Sequence, residues 1–173
     1  MKKTSIESLA REDAFQLIGK EWMLITAGTL DKHNMMTASW GGIGWLWNKP
    51  VAFIFVRPER FTYPLIEENE HITLSFLGND EKMRQIYNFC GTKSGRDFDK
   101  THETGLTPVM TEHGAVACAQ SRLTIEGRKM FRREFKPEEF LDKEALSRWY
   151  NDQPGGSLHT MYIVEIEAVY VKE

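Results

Sequence analysis

An antiparallel β-barrel with peripheral helices is the fold class that the order of apolar segments predicts. Short apolar or alternating runs outnumber the stretches with helical spacing. They are not regularly interleaved with long helices, which disfavours a doubly wound parallel sheet. The stretches Ala115–Phe135 and Met161–Val171 alternate over strand-like lengths, as barrel walls do.

Taken in order, Ile6, Leu9, Ala10, Ala14, Leu17 and Ile18 predict an opening helix, with Ser5 as its cap and Gly19 as its stop. Trp22 to Thr29 reads as a strand and Asp31 to Asn34 as a turn. Met35 to Trp40 reads as a second strand, broken by Gly41 to Gly44. Val51 to Val56 is continuous and apolar, which predicts a strand buried on both faces and ended by Pro58. Tyr63 to Asn69 suits a helix and Ile72 to Leu77 a strand. Met83, Ile86, Tyr87 and Cys90 share one face of a helix over Glu81 to Cys90, and Gly91 to Gly95 reads as a loop. Glu126-Gly127-Arg128 interrupts the long alternation as a hairpin turn or as a bulge on one long strand. Phe140 to Asn151 predicts a helix and Gln153 to Gly156 a loop, and Met161 to Val171 is the last strand.

Length and composition bound the function. A chain of 173 residues with mixed charge signs throughout and no linker predicts a single domain, 1–173. It can bury a core without disulfide or metal staples. A net charge of −3 argues against general nucleic-acid binding, which needs a basic surface. Two cysteines, Cys90 and Cys118, exclude a disulfide scaffold. No apolar run approaches a bilayer span, and Glu7, Arg11, Glu12 and Asp13 interrupt the region where a secretory leader needs apolar residues. A cytoplasmic protein without membrane partners is therefore expected.

Familiar catalytic motifs are missing. There is no G-x-S-x-G elbow and no phosphate-binding P-loop. Gly42-Ile43-Gly44 begins like a dinucleotide fingerprint, but Trp47 stands where the third glycine belongs. The five histidines (His33, His71, His102, His113 and His159) show no helix-face spacing, so no metal site is expected. A nucleophilic pair of Cys90 with a histidine has no local support.

Three stretches nevertheless suit a ligand. In Asn34-Met35-Met36-Thr37-Ala38-Ser39-Trp40-Gly41-Gly42, exposed main-chain groups could pair with the edge of a flat heterocycle while an aromatic or methionine covers its face. The alternative is a sheet edge with mixed packing. Arg57-Pro58-Glu59-Arg60-Phe61-Thr62-Tyr63 sets two guanidinium groups and a hydroxyl at the start of a helix, which suits a phosphate. Surface ion pairs to Glu59 or Glu67 are the alternative. Cys90-Gly91-Thr92-Lys93-Ser94-Gly95-Arg96-Asp97-Phe98-Asp99-Lys100 offers an anion nest between glycines, or simply a charged loop. A ligand with a flat heteroaromatic head, a polyhydroxyl linker and a phosphate tail would use all three, and flavin mononucleotide (FMN) has that form.

At these residues the chain resembles the flavin reductase-like family of FMN-binding split barrels, in its flavoredoxin-like branch. The carrying text is Asn34-x-Met36-Thr37-Ala38-Ser39-Trp40, Trp47-x-Lys49-Pro50, Arg57-Pro58-x-Arg60-Phe61-Thr62, Ser75-Phe76-Leu77 and Cys90-Gly91-x-x-Ser94-Gly95-Arg96-x-x-Asp99-Lys100. The resemblance implies a six-stranded antiparallel split barrel with Greek-key connections, a homodimer, and one non-covalent FMN per subunit near the dimer interface. Met36, Thr37, Ala38, Ser39 and Trp40 would line the ring and ribityl chain, with Asn34 beside them. Arg57, Arg60 and Thr62 would hold phosphate or ribityl hydroxyls. Gly91, Ser94, Gly95 and Lys100 would complete the phosphate end, where Cys90 opens the motif. Two features depart from the pattern: Val164 precedes Glu165 where relatives often have glycine, and Lys136 to Gly156 matches nothing in it.

The implied activity is an FMN-dependent oxidoreductase. NAD(P)H or another donor would deliver electrons, and a flavin, a metal complex or a protein would accept them. The cofactor carries the hard chemistry, so no side-chain acid or base is required. A non-enzymatic flavin electron carrier is the alternative from another class, and a split barrel holding haem or pyridoxal phosphate is a third.

Overall fold

The computed structural model describes residues 1–150 and 157–172. Ten strands lie among them: β1 (Lys2–Thr4), β2 (Met23–Gly28), β3 (His33–Ala38), β4 (Gly41–Leu46), β5 (Lys49–Val56), β6 (His71–Phe76), β7 (Pro108–Met110), β8 (Val116–Cys118), β9 (Leu123–Glu134) and β10 (Thr160–Val171). The main sheet runs β3-β2-β6-β9-β10-β5-β4, with β1 added against β10, and β7–β8 is a separate ribbon. Every pairing is antiparallel. β3 and β4 end the path, although only Ser39 and Trp40 separate them in sequence. The wall is thus open between them. This is a mainly β, split-barrel architecture with helices outside it, as expected.

The sequence undercounts the strands. β1, β7 and β8 span three residues each, too short to show a period. β4 was hidden by its glycines, which extend the chain instead of breaking it. A Cβ on Gly41 would stand 2.7 Å from the Phe53 carbonyl oxygen, so the glycines let β4 lie tight on β5. Trp47 and Asn48, with φ of 52° and 57°, form the two-residue turn between the paired Leu46 and Lys49. Positive φ at both turn positions matches the right-handed strand twist.

Other expectations shift in detail. The opening helix is broken into a 3-10 turn (Ile6–Arg11), a short α1 (Ala14–Gln16) and a π-turn (Leu17–Glu21). Asp13 rather than Ser5 supplies the side-chain cap, and Gly19 lies inside the π-turn rather than ending it. β5 is not buried on both faces throughout: Ala52, Ile54 and Val56 enter the core, while Phe53 and Phe55 are half-buried on the other side. The interruption at Glu126-Gly127-Arg128 is a bulge region on one long strand. β9 faces β10 continuously, with register shifts between Ile163 and Val164 and between Ile166 and Ala168. A side chain at Gly127 would meet the Glu165 carbonyl oxygen at 2.5 Å, which explains the glycine there.

Outside the sheet lie α2 (Thr62–Glu68), α3 (Glu81–Thr92), α4 (Lys100–Thr104) and α5 (Lys143–Tyr150). α3 absorbs Gly91 and Thr92, so the expected Gly91–Gly95 loop starts later, at Lys93. α5 starts later than the expected Phe140. The expected end at Asn151 and the loop Gln153–Gly156 fall outside the described residues.

Two apolar layers result. Met23, Ile25 and Ala27 of β2 face the barrel interior, with Ile54, Ile72, Ile125 and Val164. Leu24 and Met35 face outward against Ile86, Tyr87 and Cys90 of α3. β2 is therefore buried along its whole length. Each such aliphatic side chain contributes roughly 1.5–3 kcal/mol on burial, so the β2–β3–α3 sandwich is a firm platform for whatever sits on β3. No helix among the described residues is long and apolar enough to cross a membrane.

Candidate functional site

The site grows from the free edge of β3. Its inner edge pairs with β2, and its outer edge faces the split. Main-chain polar groups along such an edge need partners. Two adjoining clefts open beside it. One, about 170 Å³, is lined by the chain from Met36 to Trp40, by Phe55, Arg57 and Arg60, and by His159. The other, about 190 Å³, is lined by Asn34, by Glu59 to Thr62, by Gly91 to Arg96 and by Lys100. Arg60 belongs to both, so the clefts read as two ends of one site.

Buried polar bonds build the second end. Asn34 Nδ2 donates to Thr62 Oγ1 at 2.8 Å, with both residues buried, which ties β3 to α2. Lys100, 5% exposed, donates to the main-chain oxygens of Met35 and Cys90, each at 2.8 Å. One ammonium thus holds β3 against the end of α3. Burial pulls the Lys100 pKa down to about 8, and neighbouring Arg60 adds to the depression while Cys90 opposes it. Arg60 Nη1 donates to the Gly91 carbonyl at 2.9 Å, and burial lowers its pKa also. Gly95 must be glycine here: a Cβ would stand 2.2 Å from Asn34 Oδ1 and 2.6 Å from a ring carbon of Phe61. At Gly91 a Cβ would press on Thr37 at 3.3 Å.

Charge separates this end from its surroundings. Arg60, Lys93, Arg96 and Lys100 face a single acid, Glu59. A larger groove of about 600 Å³ shares Asn34, Gly95, Arg96 and Lys100 but carries Asp31, Asp97 and Asp99. Its acids make it the poorer anion site despite its size.

The first end is aromatic. The Trp40 ring lies 5.1 Å from Trp149 and 5.4 Å from His159, between ring centres. His159 Nδ1 meets the Tyr150 hydroxyl at 2.8 Å. Burial, with Arg57 nearby, pushes the His159 pKa down to about 4, so this imidazole is neutral at pH 7. Arg57 Nη2 donates to the Trp149 carbonyl at 2.8 Å, and its guanidinium carbon lies 5.1 Å from the centre of the Tyr150 ring. Its partial ion pair with Glu59, at 3.8 Å, matches the surface pairing weighed from sequence. These contacts hold the end of α5 against Trp40, Arg57 and His159 of the cleft lining.

Of the residues picked from sequence, the structure brings all but one to the two clefts. Cys90 is the exception. Its side chain is fully buried in the outer apolar layer, and only its carbonyl is used, by Lys100. Burial pushes its thiol pKa up to about 11, which favours the protonated thiol over the thiolate at neutral pH. Lys100 is present but committed to main-chain oxygens. Sequence reading gave Phe55, Trp149 and Tyr150 no place in the site, and marked Lys93 and Arg96 only as members of the nest stretch, without assigning them to the ligand. Lys93 and Arg96 lay inside a stretch already marked as cationic, whereas Trp149 and Tyr150 lay where no pattern could be matched.

The donor set fits a flavin nucleotide: a free strand edge for a planar ring, an aromatic cover, and a cationic glycine-lined cradle for a phosphate. Comparison with known proteins agrees. A family model described as the flavin reductase like domain matches residues 15–173. Among solved structures, flavoredoxin of Desulfovibrio vulgaris (Miyazaki F) is 25% identical at a TM-score of 0.66, covering 88% of this chain and 69% of that one. An FMN-binding protein from Thermus thermophilus, with bound 1-cyclohex-2-enone, is 17% identical at 0.66, covering 87% and 70%. The NADH:FAD oxidoreductase of Streptomyces globisporus C-1027 is 14% identical at 0.62, covering 87% and 75%. No curated protein sequence matches the chain.

Proposed function

The chain belongs to the flavin reductase-like domain family, and from that premise we propose that it binds FMN and passes electrons from NAD(P)H to a small-molecule or protein acceptor. Family membership supports a flavin-related redox function. The choice of FMN rests on one observation: the strand edge at Met36–Trp40 and the cationic cradle at Arg60–Lys93–Arg96 are joined end to end through Arg60. An aromatic site without the cradle would fit an unphosphorylated ring, and the cradle without the strand edge would fit any anion.

When bound, FMN would supply hydride and single-electron transfer. The protein's share is binding, orientation and shielding. The outer edge of β3 would take the polar rim of the ring. Arg60, Lys93 and Arg96 would hold the phosphate, while Lys100 and the Asn34–Thr62 bond keep the cradle in shape. Trp40, Trp149 and neutral His159 would limit water at the ring end. We take the working unit to be a homodimer. Trp45 and Trp47, at 69% and 56% exposure on the β4–β5 hairpin, are large apolar groups that a second subunit would cover.

The test is spectroscopic. Purified protein should be yellow, and anaerobic NADH or NADPH should bleach the flavin band promptly. Bleaching by dithionite alone would assign the protein as a flavin electron carrier instead. A colourless protein that does not retain added FMN would overturn the reading.

A further inference from the structure

We propose that His71, His113 and Glu167 form a binding site for a divalent transition-metal ion of the zinc class, apart from the flavin cleft. One ligand atom from each lies within 4.8 Å of the other two. Two imidazoles and one carboxylate are a donor set that zinc accepts, with water completing a four-coordinate site. With bonds near 2.1 Å, tetrahedral ligand atoms stand roughly 3.4 Å apart. The closure needed is therefore at most roughly 1.4 Å, and the half-exposed His113 on a turn can supply it.

The surroundings orient each ligand. The His71 and His113 rings are stacked, 5.2 Å between centres and 10° between planes. His71 Nε2 meets Glu167 Oε2 at 2.8 Å, and a metal ion would replace the proton they share. His113 is set by Glu126, a carboxylate with no exposure. That carboxylate accepts from the His113 main-chain N–H at 3.0 Å, from Tyr170 at 2.8 Å and from Thr111, and it lies 3.2 Å from His113 Nδ1. Holding the proton on Nδ1 leaves the Nε2 lone pair free. This carboxylate–histidine arrangement is the one that orients and strengthens metal-binding imidazoles. Glu167 stands at a register shift, where Ile166 pairs with Gly127 and Ala168 with Glu126, so it has no partner residue across β9. Bulges of this kind re-aim a side chain. Arg128 Nε holds the other oxygen, Glu167 Oε1, at 3.0 Å, which leaves Oε2 toward the histidines.

The ligands come from β6, the β7–β8 turn and β10, which is why sequence spacing showed no site. Glu167 lies seven residues along β10 from Thr160, the neighbour of His159, or about 23 Å at strand rise. The ion would clamp the β7–β8 ribbon to the barrel rather than join the flavin chemistry.

Titration calorimetry of untagged, chelator-treated protein with zinc chloride tests this. Wild type should take up one ion per chain and melt at a higher temperature with zinc than without. His113→Gln and Glu167→Gln should each weaken zinc binding at least roughly tenfold and abolish the melting shift, with flavin retention unchanged. His113 is exposed enough that its replacement leaves the fold intact, so it decides the matter even if a variant at His71 fails to fold. Cobalt(II) should give the intense visible bands of a tetrahedral site in wild type only. No uptake of micromolar zinc by wild type, or equal uptake by wild type and both variants, would overturn the proposal and leave a hydrogen-bonded histidine pair.

Discussion

The two ends of the cleft are built by opposite means. The cationic end is a lattice of buried polar bonds: Lys100 to Met35 and Cys90, Asn34 to Thr62, Arg60 to Gly91. The aromatic end is a set of ring contacts among Trp40, Trp149, Tyr150 and His159, with Trp40 at 40% and Trp149 at 48% exposure. Directional bonds in a low-dielectric setting fix geometry, and losing one partner strands the other. Ring contacts at a rim cost little to break and re-form. A phosphate needs a fixed cradle, whereas a ring that exchanges electrons with partners needs an approach. On the proposed function, the contrast would give binding strength to one end and access to the other.

The sharpest way to break that contrast is Lys100→Ala. If the ammonium is a brace, two buried carbonyls lose their donor, and the folded state should lose about 2–4 kcal/mol by urea unfolding. FMN affinity should fall as well, as a consequence of the loosened cradle. Unchanged stability with a tenfold or greater loss of FMN affinity would instead put the ammonium on the phosphate. Gly95→Ala should mimic the brace loss, because its Cβ would collide with Asn34 and Phe61.

At the aromatic end the corresponding probe is pH. His159 has a folded pKa of about 4 against 6.5 for the free group. A depressed value means that its contribution is complete above pH 6.5 and is lost as pH falls toward 4. The ceiling on that loss is ~3 kcal/mol. Carboxylates titrate near the lower part of the same window, so the measurement is the difference between wild type and His159→Gln. The variant should show the shallower loss of stability between pH 6.5 and 4. Equal slopes would mean that the imidazole takes up its proton without leaving its place beneath Trp40.

Arg60→Ala tests the joint between the ends. Loss of a charge-assisted phosphate contact should cost ~1.5–3 kcal/mol, or roughly tenfold to a hundredfold in FMN affinity. Affinity for riboflavin, which lacks the phosphate, should barely move. An equal loss for both ligands would show that Arg60 acts on the ring end.

How far the sequence revealed each end follows from the same contrast. The cationic end was legible because its parts are local: glycines and cations within Cys90–Lys100, and two arginines beside Pro58. Its internal wiring was not, since composition cannot tell a lysine that meets phosphate from one that meets main-chain carbonyls, one of them 65 residues away. The strands that show alternation were legible, and β4 was not, because glycine reads as a breaker where close strand approach in fact requires it. The aromatic end depends on Trp149 and Tyr150 reaching Trp40 and His159 across the fold, a contact with no period and no motif. The His71–His113–Glu167 group was hidden for the same reason, since two strands and a turn must meet before it exists.

The mildest test bears most directly on access. Trp149 contributes an edge-on contact to Trp40 and sits half in water, so Trp149→Ala should change FMN affinity by less than about 1 kcal/mol. Its carbonyl, which Arg57 binds, survives the substitution, so α5 keeps that tether. What should change is exposure of the ring. Iodide should quench the bound flavin more strongly in the variant than in wild type, at equal occupancy. Acceptors too bulky to pass the indole should be reduced faster, while small ones are unaffected. If quenching stays the same and affinity collapses, Trp149 is a gripping residue rather than a screen. The aromatic end would then be as fixed as the cationic one.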